Sequence, residues 1–312
     1  MRRRFFTFGI ERPRWSLRLA LGRRLIAIAN LFTGRASPLD CIPATLVASL
    51  LTSKYYEGNV LRYVRIGHDT FEIDQDLGPN LYSDLRDTIA EIYVTRRYER
   101  YGVRLFPGSV VLDCGAHVGV YTMWAIHRVG ASGKVIAFEP ELKNFQLLLR
   151  NLEINKVSNV MPVNMGVSNS VGKLPLIVAP NSWSHYIPDR ESTYPEGRCV
   201  EIACDTIDNI VFNRLGLGRV DLIKMDIEGH ELQALEGARE VLQTFAPSLV
   251  ICAYHYNGRD RESIIRFISS LLCQYHIELD VFQEIVYAWA DSKSIAQLGC
   301  NVWGPHREVS SL

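Results

Sequence analysis

The residues able to do chemistry gather in three stretches. Residues 110–119 read Val-Val-Leu-Asp-Cys-Gly-Ala-His-Val-Gly, an apolar run that ends in Asp113 and then carries His117 between Gly115 and Gly119. A glycine turn before a helix lets backbone N–H groups approach a ligand, and the helix N-terminus adds partial positive charge. A second apolar run, residues 135–138, stops on Glu139-Pro140. An acid at that point is placed to accept hydrogen bonds from ribose hydroxyls. The third stretch, residues 220–231, reads Val-Asp-Leu-Ile-Lys-Met-Asp-Ile-Glu-Gly-His-Glu and brings Asp226 and Glu228 off the end of a strand. Carboxylates there can orient a substrate hydroxyl, take its proton or hold a divalent cation.

Which nucleoside cofactor such a turn takes depends on one side chain. A dinucleotide fingerprint is G-x-G-x-x-G, with the pyrophosphate over the helix. Here the pattern is Asp-x-Gly-x-x-x-Gly, and Asp113 stands in place of the first glycine. An anion there repels a pyrophosphate and suits an ammonium group. S-adenosylmethionine has an amino acid tail, a ribose and a sulfonium, and no phosphate, so the turn favours methyl transfer over hydride transfer. An NAD-dependent oxidoreductase is the alternative enzyme, and a non-catalytic cofactor-binding scaffold is the alternative outside enzymes. A nucleobase amino-methyltransferase would carry Asn/Asp-Pro-Pro-aromatic after the fourth strand, where Asp226-Ile-Glu228-Gly229 stands instead.

Further candidates surround these. Lys224 shares a strand face with Asp226, because side chains alternate with period two, and a lysine in a buried strand needs an ionic partner. His255 follows the fifth strand, and histidine is the side chain whose unperturbed pKa suits a base near neutrality. His117 is expected to pack on the cofactor, and Asn164 closes the third strand. Glu228 and Glu231 also fall in a first helical turn, where acids are favoured by the dipole alone. Tyr82 and Tyr98 could line the pocket, and His185, with Trp183 and Tyr186, could touch substrate. The pattern leaves room for Mg²⁺ without indicating it, and no set of metal ligands is assigned.

The elements that must position these residues alternate. Strands at 110–112, 135–138, 160–167, 220–225 and 248–254 are interleaved with helices at 120–129, 144–154, 206–215, one running from 226 to about 242, and 261–273. Residues 277–282 and 284–290 suggest a closing hairpin. Such alternation means an α/β fold, doubly wound around a mostly parallel sheet, with ligands at the carboxyl ends of the strands. Asp113, Glu139, Asn164, Asp226 and His255 would then converge on one rim. Strand-like residues 172–178 and 199–202 flank a loop of about twenty residues, 179–198, longer than usual and a candidate substrate lid. Before residue 110 the pattern gives a hairpin (59–66 and 70–73) and a helix over 84–99. Three regions follow: a basic arm over 1–43, a lead-in or cap over 44–109, and the cofactor-binding domain over 110–312.

Composition sets the outer bounds. The 312 residues are 47% hydrophobic and 22% charged with a net charge of zero, so no global field recruits nucleic acid. The charge is uneven, however: residues 1–35 hold nine arginines and one acid, Glu11. With Leu17, Leu21, Leu25, Ile28 and Leu31 at helical spacing, this arm reads as a basic amphipathic helix. Such a helix lies on an anionic membrane surface, acts as a leader, or packs on the domain with its arginines in water. The seven cysteines show no C-x-x-C spacing, which fits a reducing compartment. No apolar stretch approaches the eighteen or so residues of a membrane helix. The expectation is a cytoplasmic protein of open oligomeric state; if it touches a membrane, the arm is the point of contact, and packing on the domain is the alternative.

Taken together, the Asp113-to-Gly119 turn, Phe138-Glu139-Pro140, and Lys224-Met-Asp226-Ile-Glu228-Gly229-His-Glu231 resemble the FkbM-type S-adenosylmethionine-dependent methyltransferases. The Cys204-Asp-Thr-Ile-Asp-Asn segment resembles that family's lead-in to the fourth strand. The resemblance covers roughly residues 98–253. It implies the seven-stranded methyltransferase sheet and O-methylation, with a hydroxyl on a sugar, glycolipid or polyketide-like small molecule as acceptor. By that match Asp113, Gly115, Gly119 and Glu139 would bind cofactor, while Lys224, Asp226 and Glu228 would line the reaction centre.

Overall fold

The computed structural model describes residues 49–58, 60–74, 81–180, 182–188, 198–254, 261–271, 275–281 and 283–290. The basic arm and His255 lie outside these residues, as does the end of the long loop from residue 189 to 197.

The chain begins with three antiparallel strands, β1 (Thr52–Glu57), β2 (Val60–Ile66) and β3 (Asp69–Glu72). The tight β2–β3 hairpin turns at Gly67. Helix α1 (Leu81–Ile89) runs on as a π-helical turn, Ala90–Val94. The expected helix over 84–99 is therefore shorter at its end. Thr95 turns its hydroxyl back onto the Glu91 carbonyl at 2.7 Å, and Arg96 takes a left-handed φ of 50° that a helix cannot continue.

The alternating part follows as β4 (Val110–Cys114), α2 (Val120–Val129), β5 (Lys134–Phe138), α3 (Leu142–Ile154) and β6 (Val160–Val163). After β6 the chain leaves the large sheet. Short β7 (Gly166–Val167) pairs with β9 (Arg198–Asp205), which also pairs with β8 (Gly172–Val178) in a small separate sheet. The single strand expected over 160–167 is thus two strands in two sheets. The helix expected at 206–215 is a π-helical turn, Asn209–Arg214, and β10 (Leu222–Met225) follows it.

The helix expected from 226 to 242 is two helices, α4 (Glu231–Glu236) and α5 (Arg239–Phe245). Gly237 separates them where the backbone of Ser168 comes so close that a Cβ would lie 2.0 Å from its carbonyl oxygen. Then come β11 (Ser248–Cys252), α6 (Arg261–Ser269), β12 (Tyr275–Asp280) and β13 (Ile285–Ala290).

The large sheet has seven strands in the order β12-β13-β11-β10-β4-β5-β6. The five from β11 to β6 are parallel, and β13 and β12 close one edge antiparallel. This is the expected doubly wound, mostly parallel architecture. The parallel strands are apolar on both faces because both are covered. One core packs α2, α3 and the lead-in on one face, and the other packs α4, α5 and α6 on the opposite face. Strand order reverses between β4 and β10. A crevice must open there at the carboxyl ends, because the connections leave to opposite sides.

Candidate active site

The crevice is a cavity that opens to solvent. Gly115, His117, Glu139, Lys224, Asp226 and Glu228 line it. Asp113 and Gly119 are not among its lining residues and stand behind them, and Asn164, an exposed residue, does not line it either.

Asp113 shows what standing behind means. It is fully buried on β4, and its Oδ1 lies 3.0 Å from Lys224 Nζ on the neighbouring strand. Thr122 Oγ1 donates to its Oδ2 at 2.6 Å. The ammonium that Asp113 meets in this structure is therefore that of Lys224. Lys224 also donates to the carbonyls of Gly115 at 2.7 Å and Cys114 at 3.3 Å. Burial alone would push its pKa down, yet the charges of Asp113 and Asp226 outweigh burial and raise it. The lysine stays charged and ties the glycine turn to β10.

The two turns at the crevice touch directly. Gly115 has φ 79°, and a Cβ there would lie 2.0 Å from the Asp226 carbonyl oxygen. Gly119 is left-handed at φ 92° at the N-cap of α2, with the Leu148 side chain against it. Two non-glycine residues at the crevice are also left-handed, His117 at φ 50° and Glu228 at φ 56°. Such conformations cost on the order of 1 kcal/mol or more and persist where surrounding structure imposes them, often at functional sites.

Glu139 follows β5, and its carboxylate accepts from the backbone N–H of His117 at 2.8 Å and of Glu141 at 3.0 Å. Burial pushes its pKa up to about 7, against the opposing pull of those two N–H groups. Asn164 donates through its amide to the carbonyls of Glu139 and Pro140, at 2.8 and 3.1 Å. It holds the bend after β5 rather than facing the cavity.

The start of the long loop folds over the glycine turn. Trp183 stacks on His117 with ring centroids 3.7 Å apart, and Ser182 Oγ lies 3.2 Å from His117 Nε2. The Asn144 amide donates to the Ser182 carbonyl at 3.1 Å. Burial above all, then His185 and Lys224, lowers His117 to about 3, so its ring is neutral. Trp183 and His185 line the cavity; Tyr186 does not, and bridges instead to Ile177.

Asp226 leaves β10 at the opposite wall. Tyr98 donates to its Oδ2 at 3.0 Å and Tyr254 to its Oδ1 at 2.8 Å. Tyr98 thus reaches the cavity, whereas Tyr82 does not line it and packs under Lys54. Glu231 caps its own loop by accepting from the Ile227 N–H at 2.9 Å, while Glu228 lines the cavity. Asn144 and Tyr254 escaped the sequence reading. Asn144 is an isolated buried amide in a first helical turn, and Tyr254 sits past the end of its strand, so neither gives a pattern. Among the described residues no group of three or more His, Cys, Asp or Glu side chains is arranged to hold a metal ion, and no helix is long and apolar enough to cross a membrane.

Comparison with known proteins agrees with this geometry. The Methyltransferase FkbM domain model matches residues 113–283, more than half of the chain. Methyltransferase sdnD of Sordaria araneosa is 29% identical over an alignment covering 47% of this chain and 71% of that protein. The 31-O-demethyl-FK506 methyltransferase FkbM of Streptomyces tacrolimicus is 26% identical, over 48% of this chain and 67% of its own length. The hexuronic acid methyltransferase AglP of Haloferax volcanii is 26% identical over 52% of this chain, which spans 62% of AglP, less than two thirds. A glycine turn, an acid after β5 and an Asp226 carboxylate meeting at the sheet's reversal, within a match of that extent, place the chain in the FkbM methyltransferase family.

Proposed function

We propose that the protein transfers a methyl group from S-adenosylmethionine to a hydroxyl on a sugar, glycolipid or polyketide-like small molecule, with Asp226 taking the hydroxyl proton. The observation that carries this reading is the Asp226 carboxylate, held by two phenols in the cavity wall beside the glycine turn.

The residues present fit that cofactor. Glu139, Asp226 and Glu228 line the cavity, and Lys224, the one Lys or Arg lining it among the described residues, is committed to Asp113 and two carbonyls. Such a wall suits a cationic ligand better than a pyrophosphate. Asn144 Oδ1 and His117 Nδ1 are buried without a hydrogen-bond partner in the protein. Leaving a polar atom so costs about 1–3 kcal/mol, which the hydroxyls and amino groups of a nucleoside would relieve. Gly115, His117, Glu139 and Asn144 would hold it, Glu139 at the ribose, with Gly119 shaping the turn behind them. When bound, the sulfonium supplies an electrophilic methyl carbon.

The chain's part is then positioning, which can supply most of the acceleration of an in-line displacement. Asp226 orients the acceptor hydroxyl and receives its proton as the carbon–oxygen bond forms. Lys224 fixes the distance between the two turns, and Trp183 and Ser182 cover the glycine turn against water. The relative named for a 31-O position supports an oxygen acceptor, and the one named for a hexuronic acid supports a sugar-type substrate.

The test pairs binding with turnover. The wild type is expected to bind S-adenosylhomocysteine by calorimetry, and not NADH, and to move labelled methyl from S-adenosylmethionine onto members of a panel of sugar and polyketide alcohols. Asp226→Asn should keep the binding and lose at least about 10²-fold in transfer, the usual weight of a general base. Full transfer by that variant would remove Asp226 from the chemistry.

A further inference from the structure

We propose that Tyr98 and Tyr254 are positioning residues that clamp the Asp226 carboxylate, one phenol on each oxygen, and keep it in the ionised form that accepts the acceptor's proton. The proposal rests on the reading of Asp226 as the proton acceptor. The two phenols come from distant parts of the chain, Tyr98 from the lead-in before β4 and Tyr254 from just past β11. Their hydrogen bonds, 3.0 Å to Oδ2 and 2.8 Å to Oδ1, together fix the carboxylate plane. A carboxylate held by a single donor could still turn about its Cβ–Cγ bond.

The clamp is itself braced. The Arg97 guanidinium lies 5.7 Å from the Tyr98 ring centre and 5.4 Å from that of Tyr254, and it pairs with Glu91 at 2.5 Å. A cation over a phenol ring is held by the ring quadrupole and polarises the O–H towards donation. Tyr121 packs edge-on against Tyr98 at 5.1 Å, and Cys252 Sγ is 3.8 Å from the Tyr98 hydroxyl. Tyr98 is only 6% exposed, so its hydroxyl spends little time bonded to water instead.

The charges around Asp226 come from every neighbouring element. Lys224 sits two residues before it on β10, with Asp113 of β4 behind. Cys252 of β11 and Arg97 with Glu91 lie on the tyrosine side. His117 faces it from the glycine turn, and Glu228 and Glu231 follow it in the chain. Burial first, and then the Asp226 charge, raises both phenols well above their ordinary value, so they remain donors and do not lose protons. Hydrogen bonds to the charged form lower a carboxyl pKa. During transfer the methyl carbon–sulfur bond breaks as the carbon–oxygen bond forms, the hydroxyl proton passes to Asp226, and both tyrosines stay neutral.

The acceptor being unidentified, the experiment reads the carboxylate directly. The full chain is labelled with ¹³C at aspartate Cγ, saturated with S-adenosylhomocysteine, and titrated by NMR, with the Asp226 resonance assigned by its loss in Asp226→Asn. Tyr98→Phe and Tyr254→Phe should each raise the Asp226 midpoint by about one pH unit, the worth of a hydrogen bond to a charged group. The double variant should raise it further. Affinity for S-adenosylhomocysteine should stay within about twofold, since neither phenol is assigned to the cofactor. Tyr93→Phe, which removes a half-buried phenol from Asp69 elsewhere in the fold, should leave the midpoint in place.

An unmoved midpoint in variants that still bind S-adenosylhomocysteine overturns the proposal. Should Tyr98→Phe fail to fold, Tyr254→Phe, at a half-buried position, carries the same reading alone. The two readings fail separately. Undiminished methyl transfer by Asp226→Asn sinks the base assignment even if the midpoint moves. Lost transfer with an unmoved midpoint sinks the clamp alone.

Discussion

Glu139 has a carboxyl pKa near 7 because burial outweighs two backbone hydrogen bonds, and with the proposed cofactor's ribose at that carboxyl, binding becomes sensitive to pH. Its folded pKa lies above the ordinary 4.5, so the stability it contributes is full below that value and is lost as pH rises through 7. A ribose hydroxyl donates to the ionised form. Affinity for S-adenosylhomocysteine should therefore rise between pH 6 and 8 and level off above. Glu139→Gln should weaken binding by about tenfold and flatten that rise, read by calorimetry across the range; a rise that survives the substitution would assign it to another group. Lys224 gives a second test at this scale. Lys224→Met leaves Asp113 buried without its cation, at a cost of about 3–5 kcal/mol in urea unfolding, and adding Asp113→Asn should recover part of it. Additive losses in the double variant would show that the pair is not coupled.

The glycine turn and the β10 turn act as one element pair. Their contact is backbone against backbone, so a side chain at Gly115 has nowhere to go: its Cβ would meet the Asp226 carbonyl, and its φ of 79° is strained for any L residue. Gly115→Ala should displace Asp226 from the tyrosines. Transfer should fall at least about 10²-fold, as for loss of the base itself, while unfolding free energy falls by about 1–3 kcal/mol, the cost of strain at such a position. Wild-type turnover in that variant would mean that the two turns can separate without harm. The sequence pointed to the glycines and to Asp226 separately, since each carries a local signal of residue type and spacing. Their contact spans more than a hundred residues and leaves no such signal. The same is true of Asn151 on α3 and Asn155 at its C-terminal cap, which bind the backbone of Glu72 and Thr70 on β3.

At the scale of the whole molecule, the lead-in strands and the sheet share a core. Val64 and Phe71 are fully buried in the same cluster as Met123 and Leu147. Residues before 110 therefore gain their stability from the catalytic sheet, and they deliver Tyr98 to the cavity. Phe71→Ala should cost about 3–5 kcal/mol and lower the temperature of one cooperative transition, followed by calorimetry or circular dichroism. Two separate transitions, with the cofactor affecting only the later one, would show that the lead-in melts independently.

By itself the sequence determined the alternation of strands and helices, the mostly parallel sheet, the rim at the strand ends and the acids on it. These follow from periodicity, glycine placement and the chemistry of single residues, all of which are local. Only the tertiary structure decided what each acid faces. Asp113, which charge alone would assign to the cofactor, is turned inward onto Lys224, because adjacent parallel strands set the two side chains side by side in a dry interior. Asp226 receives its two phenols from segments 128 residues before it and 28 after it. A buried carboxylate must find donors, but the physics that demands them does not say from which part of the chain they come.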